Sequence, residues 1–243
     1  MNTEAPFSYI AIEGNIASGK TSLVTELKRE LGDISINLEP VEEWRRFPFG
    51  VDLIEKFGKG ERGAAMGLQV AALSCFEEML RGLEGEKVVV TERSVTSSYK
   101  VFGRVNWKED NLGMVEWSVL TFLYNKLPEW MRSPQLTIYI VTPAEICRER
   151  MLGRGRKGEA GLSLDYLSKL EKEHVSMLDE ARNWVIRIDG TWEKRRVFEL
   201  ASITIKGFLK GENKQVSGVT SSPSPPPVFV HHSSVYCPTI NYG

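Results

Sequence analysis

Gly14-Asn15-Ile16-Ala17-Ser18-Gly19-Lys20-Thr21 is the stretch from which the rest of the chain can be read. It fits G-x-x-x-x-G-K-[ST], the pattern of a loop that cradles phosphates. Gly14 and Gly19 let the backbone curl, so that the N–H groups of Asn15, Ile16, Ala17 and Ser18 turn inward toward anionic oxygens. Lys20 supplies a point charge for β- and γ-phosphates, and the Thr21 hydroxyl is a ligand suited to Mg²⁺. A helix expected to begin at about Gly19 adds the positive end of its dipole.

The flanks agree with that pattern. Residues 7–12 read as a short buried strand, and Leu23, Val24, Leu27 and Leu31 recur at helical spacing. Strand, glycine loop and helix form the setting the pattern requires, so nucleotide binding is expected.

Further along, residues 34–38 form a second apolar run that Pro40 stops, leaving Glu39 at its edge. Residues 51–83 are helical in period, with a break at Gly58-Lys59-Gly60. The main helix there carries Gln69, Ala72, Cys75, Phe76, Met79 and Leu80. A third strand over 87–90 runs into Thr91-Glu92-Arg93-Ser94, and helical stretches are expected at 94–102 and 112–131. A fourth strand spans 136–141; Pro143 suits the first turn of a helix over 144–152. Gly153 to Gly158 then mixes glycines with cations. Ser163 can cap a helix over 164–180, a fifth strand covers 184–188, and a last helix reaches about Leu209.

Strands alternating with helices imply an α/β fold, a five-stranded parallel sheet covered on both faces. The domain is assigned to residues 1–210. Residues 211–243 hold two charges, Glu212 and Lys214, and include Ser221-Ser222-Pro223-Ser224-Pro225-Pro226-Pro227, so a disordered Pro/Ser-rich tail is expected there.

Composition narrows the partners. The 243 residues carry a net charge of −1, which gives no general electrostatic case for nucleic acid or an anionic membrane. No apolar run approaches the ~20 residues of a membrane span. The first residues have neither secretory nor organelle-transit character. Cys75, Cys147 and Cys237 lie far apart, as reduced thiols of a cytosolic protein do, and a cytoplasmic location (the host's, for a viral source) is expected.

In open parallel sheets, ligands bind beyond the carboxyl ends of the strands, where Glu13, Glu39 and Glu92 fall. A phosphotransferase needs a proton acceptor for the attacking hydroxyl and a carboxylate that orients Mg²⁺. Glu39 and Glu92 can divide that work; the plainer alternative is a set of solvated strand-end acids. Arg150, Arg154 and Arg156, over a glycine-rich break, can close on phosphates as a lid. The plainer alternative there is a solvated basic turn.

Together these residues resemble the deoxynucleoside kinases, the group that includes insect deoxynucleoside kinase, mitochondrial thymidine kinase, and deoxycytidine and deoxyguanosine kinases. Glu39-Pro40-Val41-Glu42-Glu43-Trp44 is similar to that family's E-P-V-x-x-W, and Glu92-Arg93-Ser94 to its E-R-S. Arg154-Gly155-Arg156 through Glu159, Leu164-Asp165-Tyr166-Leu167 and His174 is similar to its Arg-rich lid and the helix after it. The resemblance runs from about Ile10 to about Asp189. It implies a P-loop kinase fold and an ATP- and Mg²⁺-dependent deoxynucleoside kinase of nucleotide salvage, serving DNA synthesis and acting as a homodimer, with residues 111–131 a candidate surface.

By position it implies that Glu39 is the base on the sugar 5′-hydroxyl, held by Arg93, and that Glu92 acts on Mg²⁺ with Thr21. Gln69 would pair with the nucleobase between Trp44 and Phe102. Arg150, Arg154 and Arg156 would contact phosphates, and Glu159 the 3′-hydroxyl. The chain departs from the family at Phe57-Gly58, where a tyrosine is usual about eleven residues before the glutamine. It departs again at Phe76 and Ser98, where deoxycytidine and deoxyguanosine kinases carry arginine and aspartate. With neither charge present, and with Ala72 small opposite Phe76, thymidine is the expected substrate. A nucleoside monophosphate kinase is the first rival, and a non-catalytic assembly subunit the second. A regulatory GTPase is weaker, because Asn125-Lys126-Leu127-Pro128 lacks the aspartate guanine recognition needs.

Overall fold

The computed structural model describes residues 5–32, 34–159 and 161–211; apart from Gly211, the tail expected over 211–243 lies outside the described residues. In chain order the elements are β1 Ser8–Gly14, α1 Lys20–Glu30, β2 Ser35–Asn37, α2 Val41–Arg45, α3 Leu53–Gly58, α4 Ala64–Arg81 and β3 Val88–Glu92. Then come α5 Val95–Ser97, a π-turn Ser98–Gly103, α6 Arg104–Lys108, α7 Met114–Lys126 and α8 Glu129–Arg132. The chain continues with β4 Leu136–Val141, α9 Ala144–Arg154, α10 Leu164–Asp179, β5 Trp184–Asp189 and α11 Lys194–Leu209. The strands form one parallel sheet in the order β2-β3-β1-β4-β5, with Ile10 in register with Val90 on one side and Leu136 on the other.

The sheet is covered because its central strands are apolar on both faces. Successive side chains alternate across a strand, so Ile10 and Ile12 of β1 face one way and Tyr9 the other. The isoleucines pack with Ile138 and Ile140 of β4 against Val24 and Leu27 of α1 and Ala201 and Ile205 of α11. Tyr9 packs on the opposite side with Val89, Phe76 and Leu80 of α4, and Leu120 of α7. A third cluster seats α9 and α10 on β4 and β5 through Tyr139, Cys147, Met151, Leu167 and Leu170.

The helical run after β3 extends past the expected residue 102 and holds the π-turn. Gly103 lies against α7 there: a β-carbon on it would meet Leu120 Cδ2 at 3.0 Å and Trp117 Cζ3 at 3.3 Å. Pro128, which disfavours a helical residue before it, divides the stretch expected at 112–131 into α7 and α8. Pro143 stands at the N-cap of α9, one residue outside the helix. Ser163 caps α10, its Oγ accepting from the Tyr166 N–H at 3.0 Å. Beside the π-turn, four rings form a column. Trp107 stacks on Trp117 at 5.1 Å, Trp117 on Tyr99 at 4.9 Å, and Tyr99 on Tyr124 at 4.2 Å.

Among the described residues no helix is long and apolar enough to cross a membrane, and no cluster of His, Cys, Asp or Glu has the makings of a metal cage. Cys75 and Cys147 are free thiols.

Candidate active site

A cavity of about 510 Å³ opens at the carboxyl edge of the sheet, a volume ordinary for a small-molecule site. Ile16, Ala17, Ser18, Gly19, Lys20 and Thr21 line its middle, Trp44, Gln69, Ala72, Ser98 and Phe102 one end, and Trp192 and Lys194 the other.

The loop after β1 has the predicted shape. Gly14 sits at φ +152°, and a β-carbon there would come 2.6 Å from Ser18 Oγ and 2.9 Å from the Ile140 carbonyl oxygen, so the glycine is required. Gly14 and Asn15 stand behind the cavity wall. The Asn15 side chain accepts from the Ile16 N–H at 2.8 Å and donates to the Leu167 carbonyl at 2.9 Å, tying the loop to α10. Lys20 Nζ donates to the Asn15 carbonyl at 2.6 Å. Burial, with Arg93 pushing the same way, pulls its ammonium down to about 8.

The ends of β1 and β3 meet at Arg93. It is buried and holds φ +66°, a left-handed conformation costly for a non-glycine residue. The neighbours fix it there: its N–H donates to the Ile12 carbonyl at 2.9 Å, its Nη1 to the Gly14 carbonyl at 2.8 Å, and its own carbonyl accepts from Thr91 Oγ1 at 2.6 Å. Its guanidinium lies 4.6 Å from the centre of the Phe102 ring. Arg93 Nε stands 2.9 Å from Glu39 Oε1, a close ion pair that holds the carboxylate in place. Burial raises the Glu39 pKa above the usual carboxylate value, Arg93 opposing and Glu92 reinforcing.

Thr21 Oγ1 donates to Glu92 Oε1 at 2.6 Å. A hydroxyl and a carboxylate side by side form the hard oxygen donor set that Mg²⁺ prefers, so these residues fit the ion. Glu13, the third strand-end acid, is buried and accepts from Ser94 Oγ at 2.6 Å, bracing the segment after Arg93.

The structure brings Gln69, Ala72, Ser98, Phe102 and Trp44 to one end of the cavity, but not Phe76. Phe76 is fully buried in the core behind that wall. From residue 69 to residue 76 a helix advances roughly 10 Å, which carries Phe76 past the cavity while keeping it on the same face. Ser98 Oγ is turned to the Ser94 carbonyl at 3.4 Å.

The three lid arginines are placed differently. Arg150 donates to the carbonyls of Ser18 at 3.3 Å and Gly190 at 3.0 Å, clamping the loop to the end of β5. Arg154 makes a two-pronged bond to Glu159, Nη2 to Oε2 at 2.7 Å and Nε to Oε2 at 3.0 Å among its contacts, while Arg156 stands 3.7 Å from the same carboxylate.

A sequence model described as deoxynucleoside kinase matches residues 10–207, nearly the whole described chain. The chain belongs to the deoxynucleoside kinase family. It is 30% identical over 197 residues to deoxycytidine kinase of Rattus norvegicus, covering 70% of this chain and 74% of that one. It is 28% identical over 193 residues to a thymidine kinase of Ictalurid herpesvirus 1, covering 77% and 81%. A solved deoxyadenosine kinase from M. mycoides shares the fold at a TM-score of 0.69 and 20% identity, over 82% of this chain and 98% of that one.

Within this deoxynucleoside kinase chain, several cavity residues escaped sequence reasoning. Trp192 and Lys194 line the end beyond β5, with the Arg196 guanidinium 3.8 Å from the Trp192 ring centre. Applying the strand-end rule to Asp189-Gly190 would have pointed to them. Tyr166 lines the opposite end, its ring 6.0 Å from Phe57. No local signal separates its inward face from the outward ones.

Proposed function

We propose that this chain transfers the γ-phosphoryl group of ATP to the 5′-hydroxyl of a deoxynucleoside, with Mg²⁺ and with thymidine preferred. The observation that carries the reading is the Glu39–Arg93 pair, which lines the same cavity as the phosphate loop. Glu39 takes the proton of the 5′-hydroxyl, its raised pKa suiting it to the task. The freed oxygen forms a bond to the γ-phosphorus as the bond to the bridging oxygen of ADP breaks. Arg93 fixes the base and Lys20 meets the phosphates. Arg154 and Arg156 screen the charge that grows on the transferred group. Thr21 and Glu92 would hold Mg²⁺, which would supply neutralisation of phosphate charge.

Gln69 presents a donor and an acceptor side by side and can match a thymine or a cytosine edge. Choice then falls to the side chains around it, with no charge at 72, 76 or 98: Ala72 and Ser98 stand at the wall, and Phe76 supports it from behind. Thymidine, then deoxycytidine, then the purines is the expected order of kcat/KM. Replacing Phe76 with Arg and Ser98 with Asp together should turn preference away from thymidine, through a new attraction and a new mismatch. The test is phosphorylation of the four natural deoxynucleosides beside dTMP. Turnover of dTMP alone would overturn the kinase reading, and a purine preference would overturn the base assignment.

Met114, Val115, Val119 and Phe122 of α7 are exposed apolar side chains on one helix, with Trp107 beside them. We assign this face to a second copy of the chain. Phe122→Asp should convert a dimer to a monomer in sedimentation; a wild type that sediments as a monomer at every concentration removes the assignment.

A further inference from the structure

Helix α3 ends at Gly58, and the glycine-rich stretch after α9 lies on that end. A β-carbon built on Gly58 would stand on the carbonyl oxygen of Gly158, far inside contact distance. One built on Gly161 would come 2.7 Å from the Gly58 carbonyl oxygen, and one built on Gly158, at φ +86°, would come 3.1 Å from the backbone of Glu55. The contact is backbone on backbone. Polar bonds surround it: Lys157 Nζ pairs with Glu55 Oε2 at 2.7 Å, and Arg45 Nη2 donates to the Lys157 carbonyl at 2.8 Å. The residue after Gly158 is Glu159, buried, lining the cavity and gripping Arg154.

Gly58 does not need to be glycine for its own conformation. It closes a helix without a left-handed φ, and alanine there favours the helical state over glycine. Space explains the glycine instead. We propose that Gly58 is a positioning residue: the side chain it lacks is the seat for Gly158, and that seat sets Glu159, and Arg154 through it, in the cavity wall. The proposal rests on the deoxynucleoside kinase reading. With a β-carbon at 58, the Gly158 carbonyl must retreat by about an ångström, a displacement that can cost on the order of 10²-fold when it separates reacting groups.

The experiment compares wild type, Gly58→Ala, Glu159→Gln and the double variant. Gly58→Ala should melt within about 2 °C of wild type, because the helix accepts alanine. Its kcat/KM for thymidine should fall at least about tenfold, at unchanged affinity for ATP. The double variant should be no worse than Glu159→Gln by more than about twofold, since both changes remove one arrangement. Trypsin should also cut after Arg154, Arg156 or Lys157 several-fold faster in Gly58→Ala. A Gly58→Ala enzyme within twofold of wild type, a double variant as poor as the two losses multiplied, or a large fall in melting temperature overturns the proposal. Should wild type phosphorylate no deoxynucleoside, the functional reading fails, and unchanged trypsin cleavage then decides against the seat independently.

Discussion

Two arginine–glutamate pairs line one cavity and are held in opposite ways. In the Arg93–Glu39 pair the side chains are 4% and 16% exposed, and Arg93 is fixed by Ile12, Gly14, Thr91 and Phe102. In the Arg154–Glu159 pair they are 30% and 10% exposed, and the two side chains grip each other by a two-pronged bond. The first pair is built before substrate arrives, with the cost of its strained backbone met by folding, as preorganised electrostatics requires. On the proposed reaction the second pair exchanges partners, Arg154 releasing Glu159 for a phosphate and Glu159 turning to a hydroxyl. Fixed chemistry sits on the strands, and exchangeable charge on the lid.

The comparison breaks first at Glu39. Glu39→Gln keeps shape but accepts no proton, and kcat should fall ~10²–10⁴-fold with ATP affinity little changed; a variant within threefold of wild type takes Glu39 out of the mechanism. In wild type the acid limb of kcat/KM should lie above the usual carboxylate range, because burial raises the Glu39 pKa. On the lid side, Arg154→Ala and Arg156→Ala should each lower kcat by about 10²-fold and disturb thymidine KM less, since the charge they meet grows in the transition state. A rise in KM alone would make them ground-state binders.

A smaller effect separates the loop from the lid by pH. Lys20 loses its proton near 8 in the folded chain, against an ordinary 10.5. Between those values the unfolded chain binds more protons, so this group makes stability rise with pH. Polyphosphate restores the proton, so nucleotide affinity should move the other way, weakening on the order of tenfold from pH 7 to 9. Calorimetry in buffers of different ionisation enthalpy would show the uptake; flat affinity with no uptake would mean Lys20 stays charged. The smallest effect is expected of Lys157→Met, whose ion pair with Glu55 is exposed and worth less than about twofold in kcat. A larger loss would mean that charge, not the glycine seat, holds the lid.

Much of this was legible in residue order. The glycines and lysine of the loop, Glu39 before Pro40, and Glu92-Arg93-Ser94 after a β-branched run are local patterns with local causes, and the sheet follows from their alternation. What escaped depends on depth and distance. Helical period placed Gln69, Ala72 and Phe76 on one face but could not say where along the axis the cavity ends. Nothing in the sequence sets the left-handed φ of Arg93, which tertiary hydrogen bonds impose. Gly58 read as a break, because the backbone that fills its space comes from a segment about a hundred residues away.

The aromatic column beside the π-turn gives the protein a private optics. Parallel indole and phenol rings at such separations share their excitation, so Trp107, Trp117, Tyr99 and Tyr124 should produce a strong near-ultraviolet circular dichroism band that reports the seating of α7. Trp192, with Arg196 against its ring at one end of the cavity, and Trp44 at the other end lie outside that column. One molecule therefore carries two spectral channels: ligand entering the cavity should change the fluorescence of Trp44 and Trp192, while the dichroism of the column should hold until α7 itself lifts away.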